Sequence, residues 1–349
     1  MITDSVKVPE SEVEPYKYNW EDGLLVLMDC GGSNAVKVNE QLKEANPKFP
    51  GVRIIATGRG PNHPECKARQ RKEEMKVPLA EVDFRKEEER FGIAKGDYFK
   101  AVTYGSDAKL RGELNYLAVI DARDKISRKF LRKIHEKMSE HKIPRNIPTF
   151  AAGFMQLLSL YATTALNMEN VHPGDVTKYS LDGVMRDKRI IVGDAWIPPA
   201  KAISAGHEIL YSSMHKLIHE MDAGPVYMRG YGLPIDYNCL LSKVDIFDKK
   251  VLKQVAGAAQ ETLKYIGDHV IAGATFQDLF EGNWGKHEPT GKMAYRFDGE
   301  WYLAPNGIMV EDHVANNPQT VFQRDKDFLE EKIKDFYSAV DKISKGEVE

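Results

Sequence analysis

The chain has 349 residues, 42% hydrophobic and 29% charged, which is enough for a sizeable core and ordinary for a globular protein. Its formal net charge of −3 gives no global basic footprint, so nucleic acid is not an expected partner. Three widely spaced cysteines, Cys30, Cys66 and Cys239, exclude a disulfide framework and show no metal-ligand spacing; they imply a reducing, cytoplasmic setting with no metal expected. The polar, acidic start lacks the basic-then-apolar order of a secretory signal. The uncharged stretch from Phe150 to Met168 approaches bilayer-spanning length. It contains Gln156, Ser159, Thr163, Thr164 and Asn167, and reads as a strand end running into a buried helix, so no membrane partner is expected.

Residues 1–22 read as a polar leader. Leu24 to Met28 is then a continuous apolar run, the pattern of a strand buried on both faces, leading through Asp29-Cys30-Gly31-Gly32-Ser33-Asn34 into a helix over Ala35 to Ala45. The glycines permit a tight turn, Ser33 or Asn34 can cap the helix, and the outward N–H groups of such a turn attract phosphate or carboxylate. Asn46-Pro47 stops the helix. Val52 to Thr57 is a second strand ending in Gly58-Arg59-Gly60-Pro61, the basic run Lys67 to Lys72 is a solvated helix face, and Val77 to Val82 is a third strand. This alternation predicts an α/β fold with a doubly wound, mostly parallel sheet, in which sites form at the carboxyl ends of strands.

The charged region 85–146 contains a helix from Ser127 to His141, with Phe130, Leu131, Ile134 and Met138 at helical spacing, predicted to cover the sheet. Ile147 to Ala152 is a strand ending at Gly153-Phe154-Met155-Gln156-Leu157-Leu158, where Met155 by itself reads as core. A short helix follows at Pro199 to Gly206, then strands around Ile209 to His215 and Val226 to Met228. A long helix is predicted over Lys249 to His269. It is followed by a hairpin, Met293 to Phe297 and Trp301 to Leu303, turning at Asp298-Gly299, and by a charged helix from Lys326 to Lys342. The organisation expected is a leader (1–22), a catalytic domain (23–235) and a C-terminal extension of helix, β-hairpin and helix (236–349).

Two titratable groups sit beside residues that force irregular backbone: His172 before Pro173-Gly174, and Asp222 before Ala223-Gly224-Pro225. Alone, they read equally as two ordinary turns with a satisfied loop histidine. In company, the order of motifs resembles the folate-dependent formyltransferases, and within them the glycinamide ribonucleotide formyltransferases. The resemblance is carried by Gly32-Ser33-Asn34, by Ala152 to Leu158, by Asn170-Val171-His172-Pro173, and by Ser213-Met214-His215 with Asp222-Ala223-Gly224-Pro225. It covers roughly residues 23–235.

The resemblance implies formyl transfer from 10-formyltetrahydrofolate to a primary amine of a phosphorylated small molecule. Glycinamide ribonucleotide, an intermediate of purine biosynthesis, is the favoured acceptor. It makes Asn170, His172 and Asp222 catalytic, gives Gly32, Ser33, Asn34 and Arg59 to the substrate, and gives Met155, Gln156, Leu157, Leu158 and Gly224 to the folate. His215 stands evenly between support of the site and a core histidine. Arg59 follows Thr57-Gly58 where the family commonly has Asn, and the segment Asp182 to Asp194 is longer than the family needs. An amino-sugar nucleotide as acceptor, a formyltetrahydrofolate hydrolase, and a non-catalytic folate- or nucleotide-binding protein are the competing readings. A homodimer stays open.

Overall fold

Leu24, Leu25, Val26 and Leu27 are all buried, so the first strand is covered on both faces. Leu24 and Val26 join one core and Leu25 and Leu27 the other, as the two-residue period of a strand dictates. The structure, a computed structural model, describes residues 18–30, 32–61, 63–64, 66–104, 115–174, 191, 196–217, 226–229, 232–281, 294–297, 300–303 and 326–348.

In chain order the main elements are β1 (Leu24–Leu27), α1 (Ser33–Ala45), β2 (Val52–Thr57), α2 (Ala68–Met75), β3 (Leu79–Glu81), α3 (Phe84–Arg90), α4 (Asp97–Tyr104), α5 (Tyr116–Glu140), β4 (Thr149–Ala151), α6 (Leu160–Leu166) and β5 (Met168–His172). They continue with α7 (Ile197–Ser204), β6 (Ile209–Leu210), β7 (Ser213–Lys216), β8 (Val226–Arg229), β9 (Leu233–Pro234), α8 (Tyr237–Lys243), α9 (Lys249–Leu263), α10 (His269–Glu281), β10 (Ala294–Phe297), β11 (Glu300–Leu303) and α11 (Lys326–Ser344). Seven strands form one sheet in the order β3-β2-β1-β4-β5-β7-β8. It is parallel from β3 to β5 and antiparallel at β5–β7 and β7–β8. The expected mostly parallel, doubly wound α/β sheet is therefore present. Its strand order reverses between β1 and β4, which opens the crevice where such sheets place their ligands.

α5 lies on one face. Its buried Val119, Ala122, Ile126, Phe130, Leu131, Ile134 and Met138 recur every three or four residues, a stripe wide enough to cover β1, β2 and β3. The helix expected from Ser127 begins eleven residues earlier, because the apolar stripe extends back through the charged stretch. The strand expected over Ile209 to His215 is two strands in two different sheets, β6 paired with β9 and β7 paired with β5. The hairpin at β10 and β11 pairs Phe297 with Glu300, the register that a two-residue turn requires.

The opposite face is covered by α1 and by a helix from far along the chain. The helix expected to end at His269 instead passes through a π-helical turn at Lys264–Asp268 and continues as α10. Ile271, Ala272, Phe276, Leu279 and Phe280 enter the core around Leu24, Val26 and Phe150. Gly273 makes the contact with α1 close: a Cβ there would fall 2.1 Å from Oε1 of Gln41. Trp20 stacks on Phe280 with ring centroids 4.7 Å apart, tying residues just before β1 to the end of α10. A further core joins Ile191 to α7, α8, α9 and α11.

Phe276 is wholly buried and meets Phe150 edge to face at 5.5 Å. Phe276→Ala should lower the unfolding free energy by about 3–5 kcal/mol, read by urea unfolding with Trp20 fluorescence as the signal. A loss under about 1 kcal/mol would mean that α10 is not part of the central core.

Candidate active site

The sheet register sets several residues level. Ala80, Ala56, Leu27, Ala151, Asn170 and His215 form one row across six strands. Every parallel strand ends within two residues beyond that row, so the chain segments leaving β1, β2, β4 and β5 meet at a single edge.

Asp29 organises that edge. It follows β1 and is fully buried. Its Oδ1 accepts from the Thr57 hydroxyl and from the Gly58 amide, both at 2.8 Å. Its Oδ2 accepts from the Met155 amide at 3.0 Å and from Nε2 of Gln156 at 3.3 Å, and Nε of Arg59 lies 3.9 Å away. One carboxylate thus ties together the ends of β1, β2 and β4. The backbone repeats the connection: the amides of Asp29 and Cys30 both donate to the Gly153 carbonyl, at 3.1 and 3.0 Å. Gly153 has φ +71°, and a Cβ there would lie 2.0 Å from the Cys30 carbonyl oxygen. Only glycine serves at this crossing. The sequence reading passed over Asp29. An acid that closes an apolar strand was the available signal, since a buried carboxylate must collect partners.

On β5 and β7, Asn170 and His172 share a face with His215 and Ser213, their cross-strand partners. Nδ2 of Asn170 donates to Nε2 of His215 at 3.3 Å, while Nδ1 of His215 lies 3.1 Å from the Lys216 carbonyl oxygen. A carbonyl only accepts, so Nδ1 carries the proton and Nε2 is the acceptor. The pairing orients the Asn170 amide and leaves its second N–H directed by the same geometry. His215, fully buried, therefore holds Asn170. His172 is 4% exposed; its ring lies 6.3 Å from that of His215, and its Nε2 is 3.3 Å from the Ile191 carbonyl oxygen, so that nitrogen also carries a proton. Ile191 comes from the segment 182–194, which was expected to distinguish this chain and here touches His172 directly. The turn after His172 is fixed by the Ser213 hydroxyl, which donates to the Gly174 carbonyl at 2.8 Å.

Gly32 is the N-cap of α1, with φ +95°, and no side chain caps the helix. The expected capping by Ser33 or Asn34 is thus corrected: both lie in the first helical turn. The cap must be glycine because a Cβ there would fall 2.5 Å from the Met28 sulfur. Arg59 is fixed by a 2.7 Å bond from Nη1 to Nε2 of His63. Met155 is exposed at the crevice and Gln156 is half-buried. Leu157 packs toward the α4–α5 cluster and Leu158 is in the core beneath α5. Asp222 and Gly224 lie outside the described residues, as does Asp175. Among the described residues, no group of three or more His, Cys, Asp or Glu is arranged to hold a metal ion, and no helix is long and apolar enough to cross a membrane.

No family model matches the chain, and no curated protein matches its sequence. By shape it is similar to solved structures of phosphoribosylglycinamide formyltransferase. The one from Coxiella burnetii has 14% identity and TM-score 0.44, covering 82% of this chain and 98% of that one. The one from Campylobacter jejuni has 14% identity and TM-score 0.43, covering 74% and 97%. It is also similar to a formyltetrahydrofolate deformylase from Pseudomonas putida, with 14% identity and TM-score 0.38, covering 74% of this chain and 63% of that one.

Asp29→Asn keeps the shape of the side chain but turns a donor toward amides that need an acceptor. It should destabilise the protein by about 3 kcal/mol in urea unfolding. Hydrogen exchange at the Gly58 and Met155 amides should quicken in the same variant. Unchanged protection at both amides would rule out the carboxylate as the tie between these strand ends.

Proposed function

We propose that this protein transfers a formyl group from 10-formyltetrahydrofolate to a primary amine of a phosphorylated small molecule, with glycinamide ribonucleotide as the favoured acceptor. The observation that carries the reading is the Asn170 carboxamide held by His215 beside His172, on one face at the carboxyl end of β5. Such an arrangement suits acyl transfer. When an amine attacks a formyl carbon, negative charge develops on the formyl oxygen, and a carboxamide already fixed by a neighbour can offer its remaining N–H to that charge with little reorganisation.

His172 supplies the second element. Its Nε2–H, which faces the Ile191 carbonyl in this structure, can turn to donate to the same oxygen or pass its proton to the leaving nitrogen. By the motif resemblance, Asp222 would order a water for the proton transfer beside His172, and Gly224 would border the folate. On the substrate side, the first-turn amides of α1 at Ser33 and Asn34 suit the acceptor's phosphate, with Gly32 allowing close approach and Arg59 adding a cation. Bound folate supplies the formyl carbon. The exposed Met155 and the half-buried Gln156, pinned through Asp29, fit the rim of a pocket for its ring, whereas Leu157 and Leu158 support that rim from below.

The test is a screen of amine acceptors with 10-formyltetrahydrofolate, following release of tetrahydrofolate. Asn170→Ala and His172→Ala should each lower kcat by about a hundredfold or more. Turnover with another amine but not with glycinamide ribonucleotide would change the acceptor and keep the reaction. Turnover with water alone would make the protein a hydrolase, and equal rates in wild type and His172→Ala would end the proposed mechanism. His215→Ala should lower kcat while leaving the KM for the amine within about twofold, because it misplaces an Asn170 amide whose own bond to the formyl oxygen strengthens in the transition state.

A further inference from the structure

Away from β5, a groove of about 610 Å³ is lined by α5, the segment after it and the start of α6. Leu131 forms an apolar part of its lining, and Arg128, Arg132, His135, Arg145 and Tyr161 supply cationic, imidazole and aromatic groups. Two acids also line it, but each is already matched: Glu136 pairs with Lys133 at 2.6 Å and Glu140 with Lys137 at 2.5 Å. Arg128 is engaged through Nε by Asp124 at 2.6 Å, and its guanidinium carbon lies 3.9 Å from the centre of the Tyr161 ring. Arg132 and Arg145 have no carboxylate partner among the described residues. Burial and then the nearby Arg145 charge hold the His135 pKa below its usual value, so the positive charge in this groove comes from its arginines.

A guanidinium fork matches the oxygens of a phosphate, and two such forks without carboxylates in one concave site favour an anion. Beside them, the half-exposed Tyr161 and the arginine already layered on it form a flat platform, the arrangement on which planar rings stack. The volume falls in the range of sites for small organic ligands. We propose that this groove binds a small anionic ligand with a planar aromatic ring, of mononucleotide size: Arg132 and Arg145 take the phosphate and the Tyr161–Arg128 platform takes the ring. A polynucleotide fits less well, because the chain as a whole is acidic. The site is independent of the formyl-transfer reading. It lies close to the 153–158 loop all the same: Asp124, which holds Arg128, also accepts from the Ser159 hydroxyl at 3.0 Å, and the Ser159 amide donates to the Ser127 hydroxyl at 3.0 Å.

The experiment is titration calorimetry on the full chain with AMP, adenosine and inorganic phosphate as probes. Wild type should bind AMP more tightly than either fragment. The double variant Arg132→Ala, Arg145→Ala should weaken AMP by about tenfold or more and erase its advantage over adenosine. Tyr161→Ala should weaken AMP while leaving inorganic phosphate within about twofold. All three positions are exposed, and an unchanged Tm confirms that the variants are folded. The proposal is overturned if AMP does not bind wild type at millimolar concentration, if AMP binds the double variant as tightly as wild type, or if an oligodeoxyadenylate binds the groove more tightly than AMP.

Discussion

The edge of the sheet depends on one buried carboxylate. A lone ionised Asp29 in a dry core would be untenable, and it is stable only because two amides, a hydroxyl and a carboxamide converge on it, with Arg59 nearby. Those donors come from the ends of β2 and β4, and the carboxylate itself from the end of β1. Satisfying the charge and closing the crevice are therefore the same event. The loops are shaped by an internal anion rather than by their own turn propensities, which lets segments as different as Thr57–Arg59 and Gly153–Gln156 keep fixed positions beside each other.

The second constraint is the change from parallel to antiparallel pairing after β5. Reversal puts the cross-strand neighbours of Asn170 and His172 on β7, directly opposite rather than staggered, and so brings His215 within hydrogen-bonding reach of Asn170. The site is thus built on paired strands, with the rigidity that a ladder gives, while the turn that follows is held down by Ser213. The Ile191 carbonyl reaches Nε2 of His172 from outside the sheet, so this residue of the longer segment belongs to the histidine's surroundings.

Much of this was legible. The apolar run at Leu24–Leu27 and the alternation of strand and helix give the sheet, and Asn170 and His172 stand out because irregular backbone follows them. What escaped depends on long-range contact. The partners of Asp29 lie as much as 127 residues away, so nothing local marks it as more than part of a glycine turn. Ser33 has good capping chemistry, but the crowding of Met28 against Gly32 gives the cap to glycine, and that is a tertiary fact. The role of His215 turns on register, which the sequence leaves open. The helix ended too early at His269 because the apolar residues beyond it are interrupted by glycines, and Gly273 is there to let two helices approach.

The placement of α10 has a consequence in time. The face of β1 that carries Leu24 and Val26 is covered by Phe276 and Phe280, more than two hundred residues later. On a ribosome adding about 5–20 residues per second, that face waits roughly twelve to fifty seconds for its cover. During this interval α1, with Phe49 and Ala68, shields it only in part. Among the described residues α10 is thus the last helix made that this core takes in, and the core closes only when it docks.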